Sequence, residues 1–130
     1  MTGGGAMPRR IAAALFALST CTAFLAGCVG GLQSRELTVN IEAPVYYRSE
    51  NGDQFSARYG SLSDGSLHFV KVQMPDGREY TLPQVVSGSG VRYTDERELV
   101  WWTHQDTVRV DVRDEEGNWV TMYQELRKVR

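Results

Sequence analysis

Ser89, His104 and Asp106 are a potential nucleophile, base and orienting acid close together in one stretch of the chain, the residue types that a hydrolytic relay requires. Their setting argues against that chemistry. Ser89 lies in Ser87-Gly88-Ser89-Gly90, which is not a Gly-x-Ser-x-Gly elbow, and Asp106 stands two residues from His104 in a turn. The chain is therefore read as a protein that is not an enzyme. His68 and His104 are its two histidines, far short of a four-ligand metal constellation, so no metal is expected. A Gly-Ser loop can cradle an anion through backbone amides, but here no Walker lysine and no helix start follow it, and no cofactor is expected either. His68, inside a strand, reads as a surface or barrel-wall residue. Function is placed on Val85 to Val108, where two turn-like segments flank the apolar Leu99-Val100-Trp101-Trp102, because binding residues concentrate on loops held by a rigid frame.

That frame reads as all-β. Leu37, Val39 and Ile41 alternate with Thr38, Asn40 and Glu42, the pattern of a half-buried strand. Ala43-Pro44 interrupts it and Val45-Tyr46-Tyr47-Arg48 resumes. Asn51-Gly52 signals a hairpin through the positive φ angles of a tight primed turn, and the return strand places Phe55, Ala57 and Tyr59 on one face. Ser63-Asp64-Gly65-Ser66 turns again before Leu67 to Met74, and Pro75-Asp76-Gly77-Arg78 turns into Glu79 to Val86. Pro83 in that strand implies an edge or a bulge, since proline lacks a ladder donor. Val108, Val110 and Val112 alternate with Arg109, Asp111 and Arg113, Asp114 to Asn118 turns, and Trp119 to Leu126 closes the series. Trp101, Trp102 and Trp119 read as core and barrel-end packing. Roughly eight short antiparallel strands with turns every ~8–12 residues suit a sandwich or a barrel; a small barrel would also remove open edges, but periodicity does not separate the two.

The first 35 residues stand apart. Arg9-Arg10 precede an apolar run from Ile11 to Leu25, too short for the ~20 apolar residues that cross a bilayer and suited to a secretory signal. Translation beginning at Met1 or at Met7 leaves that leader intact. Leu25-Ala26-Gly27-Cys28 resembles a bacterial lipobox, which would make residues 1–27 a lipoprotein signal peptide, Cys28 the lipid anchor, 28–35 a lipidated tether and 36–130 the folded domain. Lipid chains hold a protein to a membrane by about 0.8 kcal/mol per buried methylene. Cys21 would leave with the leader, so the mature chain has no pair for a disulfide. Loss of Arg9 and Arg10 takes the net charge from −2 to −4, which argues against nucleic acid and suits a basic partner.

Ser87-Gly88-Ser89-Gly90-Val91-Arg92-Tyr93-Thr94-Asp95, followed by Trp101-Trp102-Thr103-His104-Gln105-Asp106, resembles the paired signature of the membrane-bound lysozyme inhibitors of C-type lysozyme, over roughly Val45 to Tyr123. The resemblance implies an eight-stranded antiparallel barrel on a lipoprotein anchor in the bacterial envelope, held at the outer membrane and facing the periplasm. It implies that the Ser87–Tyr93 loop enters the lysozyme cleft and blocks its catalytic carboxylates, with Ser89 and His104 at the two contacting positions. Ser89, Gly90, Arg92, Tyr93 and His104 are the expected lysozyme-binding residues, with Arg92 and His104 holding the loop and Tyr93 bracing it from behind. The chain departs from the family pattern in three ways. His104 stands where the family has lysine, Gln105 and Thr107 replace its glycine and glutamate, and its two cysteine sites fall at Arg48 or Ser49 and near Tyr123. Losing such a bridge costs about 2–5 kcal/mol, which the core must supply. A second reading keeps the barrel as an envelope-anchored binding module for another envelope protein or for peptidoglycan. A third, a ligand carrier, requires an open lumen in a barrel small enough to be filled by its own side chains.

Overall fold

The structure, a computed structural model, describes residues 3–5 and 36–130. The expected anchor Cys28, the tether and all of the leader but residues 3–5 lie outside them. Nine strands form: β1 Val39–Ile41, β2 Val45–Arg48, β3 Gln54–Leu62, β4 His68–Gln73, β5 Glu79–Val85, β6 Val91–Thr94, β7 Leu99–His104, β8 Thr107–Arg113 and β9 Trp119–Lys128. Every pairing is antiparallel, in the order β1-β3-β2-β9-β8-β7-β6-β5-β4, and β3 also pairs with β4. Strands β2 to β9 thus close an eight-stranded barrel, which decides between the barrel and the sandwich that the turn spacing leaves open.

β1 stays outside the closed ring because β3 has more residues than β2 can pair. Gln54 to Ala57 pair with β2, while Gly60 to Leu62 pair along the same edge with β1, and Ala43-Pro44 breaks the chain between the two. The half-buried strand expected at Leu37, Val39 and Ile41 is therefore corrected: these side chains are 55%, 57% and 49% exposed, since among the described residues no second layer covers them. Pro83 fits its expected edge position, because β6 pairs only with Gln84 and Val85 of β5. The hairpin at Asn51-Gly52 also differs from the two-residue turn expected. Ser49 N–H donates to Asp53 O, Gly52 N–H donates to Ser49 O, and Gly52 has φ +90° whereas Asn51 does not take positive φ. Such a three-residue loop follows the strand twist with a single left-handed residue, which glycine supplies.

The barrel interior is filled. Trp101, Phe55, Leu82, Leu99, Leu126, Val70, Val72, Val108 and Val110 are almost wholly buried, and Phe55, Ala57 and Tyr59 share one face as the alternation predicts. Trp101 meets Tyr47 edge-on at 5.5 Å and Phe55 at 6.1 Å. Its indole N–H donates to the Tyr59 hydroxyl at 3.2 Å, which lies 3.0 Å from that of Tyr47, so a buried aromatic centre keeps its polar atoms bonded. Truncating such a tryptophan would cost about 3–5 kcal/mol. Trp119 does not join this core. It is partly exposed, with the Arg113 guanidinium 4.6 Å above its ring, because it begins β9 at the barrel's open rim. Register shifts between β8 and β9, at Val108/Val110 and at Val110/Asp111, bend this wall and spread the side chains on it.

Candidate functional site

The stretch from Val85 to Val108 builds one end of the barrel. β5 and β6 share only two residue pairs before they part, which releases residues 86–90 as a loop. Two bonds then fix that loop through its backbone. The Ser89 carbonyl accepts from the Trp102 indole N–H at 2.9 Å and from the Ser87 hydroxyl at 2.6 Å. Among the described residues the Ser89 hydroxyl has no partner, and the residue is exposed. The backbone is held while the alcohol is presented.

Gly90 makes this approach possible. Its φ is +59°, and a β-carbon there would fall on the Thr103 carbonyl oxygen and within 2.8 Å of His104 Nδ1. Any side chain would push the loop off β7 and strain the backbone as well. Thr103 adds a further tie, its hydroxyl donating to Val91 O at 3.2 Å.

His104 ends β7, opposite Thr107 in the two-residue hairpin. Its ring lies 5.1 Å from that of Trp102, tilted by 39°, so Trp102 carries His104 on one side and the Ser89 carbonyl on its N–H. The sequence places Trp102 in packing, and the structure makes it the brace that joins both expected binding positions. Gln105 takes φ +53° in the turn, the left-handed conformation that glycine adopts without penalty.

Arg92 lies on the outer face beside Trp102, its Cα partner, and its guanidinium pairs with Glu96 at 3.1 Å. Tyr93 points the other way. It is buried, its ring 5.7 Å from that of Tyr59, and burial, with Tyr59 and Glu42 adding, pushes its phenol up to about 12. It packs into the core cluster. Next in the chain, partial burial raises the Asp95 carboxyl, but N–H bonds from Glu98, Arg97 and Leu99 outweigh it and hold the group below the ordinary carboxylate range. That cap fixes the far end of the β6–β7 hairpin.

Beside the Ser89 loop runs a groove of about 490 Å³, walled by Ser89, Trp102, His104, Arg109, Gln124 and Glu125. Ser89 and His104, apart in sequence, thus share one surface depression. Arg109 was not among the expected binding residues. A signal for it exists, since a two-residue turn at Gln105-Asp106 sets Arg109 opposite Trp102, and the structure has that pairing.

Comparison with known proteins adds two findings. A family model described as membrane-bound lysozyme-inhibitor of c-type lysozyme matches residues 47–119, which include the Ser89 loop and the His104 turn. The barrel is also similar to MliC of Pseudomonas aeruginosa, solved in complex with hen egg white lysozyme, with a TM-score of 0.54 and 20% identity over 72% of this chain and 87% of that one. At that identity the likeness is one of fold. No curated protein matches the chain.

Proposed function

The chain belongs to the family of membrane-bound lysozyme inhibitors of c-type lysozyme, and from that premise we propose that it inhibits by seating the Ser87–Tyr93 loop in the enzyme's active cleft. The observation that carries this reading is the pinned Ser89 carbonyl beside an exposed hydroxyl that has no partner among the described residues. A loop fixed before binding loses little conformational freedom when it binds.

Lysozyme works with one carboxyl that donates a proton and one that stays ionised. An alcohol set between them, with the His104 imidazole beside it, occupies the substrate position and engages both groups. Hydrogen bonds to charged groups contribute about 1.5–3 kcal/mol each, so two or three in a water-poor cleft are enough to set affinity. Tyr93 and Gly90 act from behind, the first by packing and the second by permitting the close approach. The chain binds and performs no chemistry of its own in this reading. Cys28 is the lipid anchor, residues 28–35 are the tether, and the domain is held at the outer membrane facing the periplasm.

The test is direct. The soluble domain, residues 29–130, is added to hen egg white lysozyme and the rate of cell-wall hydrolysis is followed. Inhibition at submicromolar concentration is expected, and no effect at micromolar concentration would overturn the reading.

A further inference from the structure

The lysine of the family signature is absent, and a histidine, His104, stands in its place. A permanent cation nevertheless stands in the same groove. We infer that Arg109 is a specificity-determining residue of the lysozyme-facing surface, meeting a carboxylate of the enzyme beside Ser89. The inference rests on the inhibitory reading above and names the residue that supplies fixed positive charge to it.

Three observations carry it. Arg109 is the Cα partner of Trp102 across β7 and β8, as Arg92 is across β6 and β7, so an arginine stands on the strand to either side of the residue whose indole holds the Ser89 loop. The register shift between Val108 and Val110 falls at Arg109 and leaves Gln124 and Glu125 without partners on β8, which opens the groove beside its side chain. Finally, Arg109 is oriented before any partner arrives. Its Nε donates to Asp111 Oδ1 at 2.8 Å and one terminal nitrogen donates to the Thr121 hydroxyl at 2.9 Å. Asp111 is nearly buried, its side chain 11% exposed against 39% for Arg109.

A guanidinium has five N–H donors in a planar fork. Two are used here, and those remaining suit bidentate capture of a carboxylate. Arg92, paired with Glu96, does not line the groove, whereas Arg109 does. Glu125, which also lines the groove, is paired with Arg127 at 2.9 Å, which tempers its repulsion of an incoming carboxylate.

The test measures binding of hen egg white lysozyme by calorimetry at low and moderate salt. Arg109→Gln is expected to weaken binding by about tenfold or more and to flatten its salt dependence, with Arg109→Lys recovering part of the loss. Because Arg109→Gln strands the Asp111 carboxylate, the double variant Arg109→Gln/Asp111→Asn is measured beside it. Restored thermal stability with binding still weak supports the inference. If the double variant binds as wild type does while Ser89→Ala binds weakly, the role of Arg109 is overturned and the inhibitory reading stands. If the wild-type domain does not bind lysozyme, both fall.

Discussion

The Tyr123 hydroxyl donates to Asp53 Oδ2 at 2.8 Å, joining residues 70 positions apart in the chain. Asp53 is itself tied to Ser49, whose hydroxyl accepts its backbone N–H at 3.0 Å. These bonds span the seam where β2 and β9 share only the pairs Tyr47–Lys128 and Arg48–Arg127. The family resemblance sets a disulfide that this chain lacks in the same neighbourhood, at Arg48 or Ser49 and near Tyr123. Burial raises the Tyr123 phenol, with Asp53 adding, so the proton that makes the bond stays in place at neutral pH.

Tyr123→Phe is expected to lower stability by about 1.5 kcal/mol, the low end for a hydrogen bond to a charged group at a part-buried site. Urea unfolding of the soluble domain measures it, with Met122→Ala on the exposed face as a control. An unchanged midpoint would show that the seam needs no clasp.

Ser89→Ala is expected to weaken lysozyme inhibition by more than tenfold, since one bond to a carboxylate at about 1.5–3 kcal/mol is lost. The melting temperature should not move, because the hydroxyl has no partner among the described residues. Equal inhibition by variant and wild type would remove Ser89 from the contact.

Gln105→Gly is expected to stabilise the domain. Relief of a left-handed non-glycine residue contributes about 1 kcal/mol, partly offset by the greater freedom of glycine in the unfolded chain. A rise of a few degrees in Tm, on the order of 2–4 °C, is the readout. A fall would mean that the Gln105 side chain contributes more than its backbone strain costs.

The domain should lose stability in alkali. Burial raises Tyr47, Tyr59 and Tyr93 above the ordinary tyrosine value of 10, with Tyr93 at about 12. A folded-state pKa above the unfolded one means that the unfolded chain releases its protons first. The stabilisation is therefore complete below pH 10 and is lost as pH rises from 10 towards 12. Thermal melts across that range, followed beside phenolate absorbance, should show unfolding and ionisation together. Phenolate appearing with no drop in Tm would contradict the burial of these rings.

Much of this was legible in the residues. The alternation of Val108, Val110 and Val112 declared a strand with one wet face, and the glycine-bearing turns spaced the hairpins. The Ser87–Gly90 segment stood out as a loop because its small residues free the backbone. Other features misled. Leu37, Val39 and Ile41 have the pattern of a buried face yet lie in the open, because alternation says which side chains share a face and not whether anything covers it. The reading of the three tryptophans as core and barrel-end packing did not say which was which, and Trp101 took the core while Trp119 lies exposed at the start of β9. Trp102 and Arg109 were passed over because each matters through a neighbour on another strand.

The sequence by itself determined the strand pattern, the turns and the loop that offers Ser89, since these follow from period-two alternation and local φ preferences. Tertiary structure decided that β1 stays outside the ring, that Trp102 holds Ser89 and His104 together, that Arg109 reaches the same groove, and that Tyr123 closes on Asp53. The physical reason is register. A tight hairpin fixes its own register locally, as at Trp102 and Arg109, but pairing between distant strands, shifted by bulges and settled by closure of the barrel, selects which of the other side chains meet.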